Sequence, residues 1–358
     1  MSLNSGANLI FFNFATMKKS AKYYILFAVL LCCCFLADIL LGAVAIPVKD
    51  IFNTLFFSSS LPDSLQNTYI KDIILDFRLP KAIVALLAGI GLSVCGLQMQ
   101  TLFRNPLADP YILGISAASG LGVALFVMGG SLIGIDMGHP FFQIFGIAGA
   151  ALAGALALTI LIISLSKRLK DNLSLLIFGI MAGSVASAII SLLQYFTSAA
   201  SLKMYVLWTM GSFAGLGEMQ LAILAIMVVS GLALSVYNIK DLNALLLGEQ
   251  HAAAMGLNVK AIKIRILVAT TLLAGSVTAF CGPIGFIGIA VPHISRFIFK
   301  NANHKVLLPA TAFTGAIVML LADIMSQLPG SGTVIPINTV AALLGIPVIL
   351  YIIVQNRA

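Results

Sequence analysis

The sequence predicts an all-α, polytopic membrane protein of about ten transmembrane helices, with both termini cytoplasmic and one short, broken helix near residues 286–299. Three observations carry that prediction. First, of 358 residues 60% are apolar and 9% charged, with mean hydropathy +1.09. Soluble domains average about 45–50% apolar and about 25% charged, so a globule this apolar could not cover its surface with polar groups. Second, apolar runs recur along almost the whole chain, each near the roughly 20 residues a spanning helix needs. Third, the basic residues fall in alternate connecting segments.

Taken in order, residues 1–22 read as a cytoplasmic extension and 23–358 as a single transmembrane domain. Met17, Lys18, Lys19 and Lys22 precede an apolar run, and Ala43-Val44-Ala45 resembles a signal-peptidase site. The run from Tyr23 to Ala45 is longer than the roughly 7–15 residues of a signal h-region and long enough to span, so it is taken as the first helix. Residues 1–16 are expected to be dispensable, with Met17 an alternative start. Further spans are expected at 80–103, 111–131, 141–165, 173–197, 219–238, 261–280, 286–299, 306–327 and 338–354. The eighth is too short to cross as a straight helix. It follows Gly282-Pro283-Ile284-Gly285 and contains Gly288 and Pro292. Irregular backbone at membrane depth is tolerated only inside protein or along a cavity, which points to a pathway wall.

Orientation follows from charge. With the N-terminus inside, the inner segments hold Lys18, Lys19, Lys22, Arg104, Lys167, Arg168, Lys170, Lys240, Lys260, Lys263, Arg265, Arg296, Lys300, Lys305 and Arg357. The outer segments hold Lys49, Lys71, Arg78, Lys81 and Lys203. Fifteen against five places both ends in the cytoplasm by the positive-inside rule. The formal charge of +8 is therefore topology and not a nucleic-acid footprint.

Several function classes fall away. Cys32, Cys33 and Cys34 are consecutive, Cys95 and Cys281 lie in other apolar runs, and no metal-ligand spacing appears. A charge-coupled carrier keeps ionisable groups near the midplane. Here the spans hold little beyond Asp38, read as interfacial, and Asp323 near the outer end of the ninth helix. An ion channel would need an acidic ring or filter repeat. No G-x-x-x-x-G-K-[ST] loop is present, so a motor, if there is one, is another polypeptide. Small residues spaced by four (Gly146, Ala150 and Gly154; Gly179 and Gly183) read as helix contacts and not as a pore stripe.

A partner motor needs a cytoplasmic docking element. Residues 241–257 form the best candidate: Asp241 or Asn243 can cap a short helix, the alanine-rich middle is helical yet too polar to span, and Gly256 can end it. On composition alone an interfacial amphipathic helix serves equally well.

Motifs then narrow the reading. Gln100-Thr101-Leu102-Phe103-Arg104-Asn105-Pro106-Leu107-Ala108-Asp109-Pro110, followed by Leu113-Gly114, resembles the Q-x-L-x-R-N-P-L-A-x-P-x-x-L-G signature of the FecCD-like permeases. These are the membrane subunits of ATP-binding-cassette (ABC) importers for iron–siderophores, haem and cobalamin. Arg78-Leu79-Pro80-Lys81 resembles the family's R-L-P-R, and Trp208 to Ser212 its W-x-M-G-S. Gly248-Glu249-Gln250-His251-Ala252-Ala253-Ala254-Met255-Gly256 is similar to its G-E-x-x-A-x-x-L-G loop. Gly285 to Gly288 with Val291-Pro292-His293-Ile294-Ser295-Arg296 is similar to G-F-I-G-L-x-V-P-H-I-x-R, and His304, Leu307 to Pro309 and Ala322-Asp323 continue in register. Two departures stand on the outer side. Gln327 occupies a place where an arginine is frequent, and Val334-Ile335-Pro336-Ile337-Asn338 replaces E-x-P-V-G.

The resemblance implies an ABC importer permease with no enzymatic site of its own, in the cytoplasmic (inner) membrane. It implies a second permease copy or close paralogue, two cytoplasmic ATPase subunits that use Mg-ATP, and an extracytoplasmic binding protein. A ferric siderophore leads as substrate, followed by haem or cobalamin; a secondary transporter is the alternative of a different class. No cofactor or metal is expected on this chain. Gly248, Glu249, Ala252, Met255 and Gly256 would form the ATPase-coupling helix, and Arg78 and Lys81 would meet acidic residues on the two lobes of the binding protein. Gln100, Arg104, Asn105, Pro106, Gly285, Gly288, Pro292, His293 and Arg296 are structural or pathway candidates. Gln100 could face the pathway or tie helices together. His293 is expected to make a helix-end hydrogen bond in preference to ligating haem, and His139 reads as a solvated loop residue.

Overall fold

The structure, a computed structural model, describes residues 4–42, 46–49, 51, 65–130, 146–166, 172–327 and 334–355, with 4–21, 65–68, 172, 352, 353 and 355 as backbone alone. Among the described residues there is no strand. Helix α1 runs Asn4–Leu40, α2 Leu65–Asp72, α3 Leu79–Phe103, α4 Ile115–Ala124, α5 Ile147–Ser166 and α6 Asn172–Phe196. Then come α7 Ala199–Met210, α8 Glu218–Tyr237, α9 Ile239–Leu246, α10 Glu249–Ala254 and α11 Val259–Thr270. Last are α12 Ser276–Cys281, α13 Ile287–Phe299, α14 His304–Ser326 and α15 Ile337–Gln355.

Seven described helical stretches are long and apolar enough to cross a bilayer, and three shorter apolar ones are Ile115–Gly129, Ile287–Phe299 and Ile337–Tyr351. Each coincides with one of the segments expected from sequence, but several boundaries differ. The extension continues into the first helix, which begins at Asn4. The second begins far ahead of residue 80: α2 passes into α3 through a π-helical stretch, Ile73–Arg78. Leu79 N–H bonds Ile74 O there, and Pro80, which has no N–H to give, sits in the first turn of α3. Helix α7 was unforeseen; Ser198 caps it, accepting from Ser201 N–H at 3.3 Å. Residues 131–145, which include His139 and the expected start of the fourth span, lie outside the described residues.

Helix α3 is the centre, buried along nearly its whole length among α14, α13, α8 and α11. In lipid there is little hydrophobic drive between helices, so close backbone approach and interhelical hydrogen bonds must hold them. Both are present. A Cβ on Gly89 would strike the backbone of Gly315 on α14, and one on Gly96 the backbone of Gly288 on α13. Ser93 Oγ donates to Thr311 O at 3.1 Å, and Gln98 Nε2 to Ser235 Oγ of α8 at 2.7 Å. The small-residue repeats serve packing, as expected. Gly154 lies against Ala118 of α4, Gly179 against Leu113, and Gly146 against the Phe126 ring. Helix α1 packs on α14. Its Tyr24 hydroxyl donates to Val306 O at 2.6 Å, and Tyr23, Tyr24 and Phe27 surround Phe299. Cys32, Cys33, Cys34, Cys95 and Cys281 are all free.

Candidate functional site

The segment after α8 folds as two short helices. In α9, Leu242 and Leu245 are buried on one face, while Asp241 Oδ2 accepts from Arg265 Nη2 of α11 at 2.7 Å. The capping expectation needs correction. Asn238, not Asp241 or Asn243, stands at the start of α9, and it caps without a side-chain bond. Asn243 turns across the chain instead: its Oδ1 accepts from His304 N–H at 2.9 Å, and its Nδ2 donates to Asn303 Oδ1 at 2.9 Å. It thereby serves the first turn of α14, where backbone donors have no helical partner.

Helix α10 is held at both ends by glycine. Gly248 takes φ 110° before the first residue, and Gly256 takes φ 82° after the last turn. Leu257 N–H bonds Ala252 O at 3.1 Å and Gly256 N–H bonds Ala253 O at 2.9 Å, the paired bonds of a Schellman motif. Its inner face is anchored by buried Ala252 and by a 2.8 Å ion pair from Glu249 to Lys263 of α11. The other face exposes Gln250, His251, Ala253, Ala254 and Met255. This gives a rigid, low-relief prow. The Arg104 guanidinium lies beside Gly248, so the turn after α3 reaches the same surface.

That turn is tied to the broken helix. Arg104 ends α3 in the left-handed region, φ 48°, and Asn105 N–H bonds Gln100 O at 3.2 Å. Asn105 Oδ1 accepts from Leu107 N–H at 2.9 Å, shaping the turn around Pro106. His293 Nε2 meets Pro106 O at 2.9 Å, the helix-to-turn hydrogen bond expected of it. Gln100 ties helices together. Its Nε2 donates to Gly288 O at 3.3 Å and Ile289 O at 3.2 Å, and its Oε1 accepts from Arg296 Nη1 at 2.6 Å. The cause is covalent. Pro292 has no N–H to return to the carbonyl four residues back, which is that of Gly288, and Gln100 supplies the missing donor. Upstream, Gly282 has φ 78° and Phe286 φ 70°, which separate α12 from α13. Gly285 N–H bonds Asn338 Oδ1 at 3.2 Å and Ser212 N–H bonds Cys281 O at 2.9 Å, so the break is pinned to α15 and to the end of α7.

At the opposite end of α3, charged groups gather. Arg78 Nη1 donates to Ile39 O at 2.8 Å and Leu40 O at 3.1 Å, satisfying final carbonyls of α1. Lys81 Nζ pairs with Asp323 Oδ1 at 3.0 Å. Gln327 Nε2 donates both to Asp38 Oδ1 at 3.2 Å and to Asp323 Oδ2 at 3.1 Å. Asp38 is therefore buried inside the protein, 3% exposed. Sequence reasoning missed this cluster, although its signal was available in the isolation of two carboxylates within otherwise uncharged spans. Beside Lys81 and Asp323 lies a cavity of about 300 Å³, lined also by residues 210–214 and 334–337. The two departures from the family motifs thus frame one place.

The structure brings the site residues into two groups, one at each end of α3. At one end, Gln100 to Pro106 meets α10 and the half of α13 that holds His293 and Arg296. At the other, Arg78 and Lys81 meet Asp38, Asp323 and Gln327. Gly288 and Pro292 lie between, and Gly285 sits at the break.

Known proteins resemble the chain over most of its length. The profile of the FecCD transport family matches residues 29–355. The hemin transport system permease protein HmuU of Yersinia pestis is 33% identical over 319 residues, covering 88% of this chain and 90% of that one. The vitamin B12 import system permease protein BtuC of Salmonella typhimurium is 35% identical over 281 residues, covering 78% and 82%. Among solved structures, an ABC transporter assigned to the metal-chelate type, in an inward-facing conformation, superposes with TM-score 0.80 at 27% identity, covering 94% of this chain and 99% of that one. With the family's profile running through both groups of site residues, the chain belongs to the FecCD transport family.

Proposed function

We propose that the chain is the membrane permease of an ABC importer that carries a large metal chelate inward, with a ferric siderophore as the leading substrate and haem or cobalamin as its close equivalents. The observation that carries the reading is α10. Two glycines and one ion pair fix it, and its exposed face of small and flexible side chains fits the cleft of a separate ATPase subunit. Two such subunits bind and hydrolyse Mg-ATP below a pair of permeases, either two copies of this chain or this chain and a close paralogue. Their motion acts on α10 and, through Arg104 and the turn after α3, on the block that α3 forms with α13, about which the remaining helices tilt to switch the open side of the pathway. An extracytoplasmic binding protein delivers the chelate to the outer end, where Arg78 and Lys81 stand. The chain crosses the cytoplasmic (inner) membrane ten times with both termini inside, and itself binds no cofactor and performs no covalent chemistry.

The names of the relatives support the chelate class, since one is a hemin and another a vitamin B12 permease. The test is reconstitution in proteoliposomes with the ATPase subunit and the binding protein. Labelled chelate should accumulate only with ATP and the binding protein. Uptake driven by an ion gradient without the ATPase would overturn the reading in favour of a secondary carrier.

A further inference from the structure

At the junction of α8, α9, α11 and α14 lies a cavity of about 540 Å³ lined by Val236, Tyr237, Lys240, Asp241, Arg265 and Lys305 among others. Of its lining only the Asp241–Arg265 pair enters the coupling segment described above. Its charge is unbalanced: three cations face one carboxylate, and that carboxylate is already paired with Arg265 at 2.7 Å. Lys240 and Lys305 are exposed and make no ion pair among the described residues. The Arg265 guanidinium is laid over the Tyr237 ring, 5.1 Å from its centroid, which fixes its plane. Its Nε is buried with no hydrogen-bond partner, a donor left over in an otherwise built site.

The position specifies what can fill it. The cavity opens where the apolar helix α8 ends, and the wall continues along that helix as exposed Ile226, Val229 and Val236. A ligand that fits has an anionic head with several oxygen acceptors and an apolar body lying along α8. We infer that this cleft binds an anionic phospholipid of the adjacent leaflet, its phosphodiester held by Lys240, Lys305 and Arg265 and an acyl chain against α8. Basic pockets between helices at the cytoplasmic boundary hold such headgroups by the same physics. Ordering α8 against α11 and α14 in this way makes lipid composition an input to the element that carries the coupling helices.

The experiment uses the full chain in detergent micelles, with dioleoyl phosphatidylglycerol, dioleoyl phosphatidylcholine or inorganic phosphate as probe. Native mass spectrometry reads retained lipid, and thermal unfolding reads stabilisation. Phosphatidylglycerol should be retained and should raise the unfolding midpoint, with phosphatidylcholine and phosphate doing neither. The Lys240→Gln/Lys305→Gln variant, which leaves the Arg265–Asp241 pair intact, should lose about fivefold in phosphatidylglycerol affinity per lysine removed, roughly 25-fold in all. Its unfolding midpoint in phosphatidylcholine should match the unaltered chain, showing that it folds. Equal retention of the two lipids, an unchanged phosphatidylglycerol preference in the variant, or full reproduction of the effect by inorganic phosphate would each overturn the inference. So would loss of bound phosphatidylglycerol when the ATPase subunit is added, which would make the cleft a protein-docking face.

Discussion

Replacing Gln100 by Leu tests the idea that one side chain repairs a helix broken by proline. Gln100 is 4% exposed and makes three contacts, two through Nε2 to the carbonyls of Gly288 and Ile289 and one through Oε1 to Arg296. Leucine keeps the volume and removes all three. A buried carbonyl left without a donor costs about 1–3 kcal/mol, and a hydrogen bond to a charged group contributes about 1.5–3 kcal/mol. These overlap in one residue, so a loss of about 3 kcal/mol is expected for Gln100→Leu. The decisive measurement is a double-mutant cycle with Pro292→Ala, which returns an N–H to the Gly288 carbonyl. In that background Gln100→Leu should cost about 1–2 kcal/mol less, because the Gly288 carbonyl then keeps a donor and only the Ile289 and Arg296 contacts are lost. Unfolding of the four proteins in mixed micelles gives the coupling energy. If the two substitutions add to within about 0.5 kcal/mol, Gln100 does not serve the proline-freed carbonyl and the argument fails.

Further outcomes follow. Gly248→Val or Gly256→Val should preserve membrane insertion but abolish chelate uptake and ATPase stimulation, since φ of 110° and 82° excludes β-branched residues; Glu249→Lys, facing Lys263, should do the same, and normal uptake in all three would move the docking role elsewhere. The purified chain alone should release no phosphate from ATP, and hydrolysis should appear when the ATPase subunit is added, as a malachite-green assay will show. Lys81→Gln should destabilise the chain by leaving Asp323 uncompensated beside Asp38, and Asp323→Asn in the same chain should recover most of the loss; separately, Arg78→Gln with Lys81→Gln should weaken binding-protein affinity and flatten its salt dependence. Asn243→Ala should cost about 1–2 kcal/mol through loss of the bond to His304 N–H, with Asn243→Asp recovering much of it in the same unfolding assay.

What could be read from sequence alone tracks how local each signal is. The break before α13 was legible because glycine and proline act on their own backbone, and Gly256 announced the end of α10 for the same reason. Gln100 was left with two roles, since the choice depends on carbonyls 188 and 189 residues away. Asn243 looked like a cap and is one, but for α14 and not for its own helix. The partner of Asp38 could not be read, because the amide that bonds it comes from Gln327, 289 residues on. The apparent start of the second helix at Pro80 shows a local signal overruled: a single π-helical stretch absorbed the proline and let the helix continue. Arg78 and Lys81 were noticed as unexpected outer cations. Their carbonyl and carboxylate partners belong to α1 and α14, which only the fold brings near.

The glycine contacts along α3 carry a consequence for how such a machine can move. Where Gly89 meets Gly315 and Gly96 meets Gly288, backbone lies on backbone with no side chain between. Side-chain interfaces yield by exchanging rotamers, which lets two helices shear past each other in small steps. At these two crossings there are no rotamers to exchange, and Ser93 and Gln100 bond across the same interfaces to Thr311 and Gly288, so the seam stays shut or separates completely. Helices α3, α13 and α14 therefore behave as a keel, a single solid piece about which the remaining helices tilt. The stroke of the transporter has to be sought in the parts that keep their side chains as bearings.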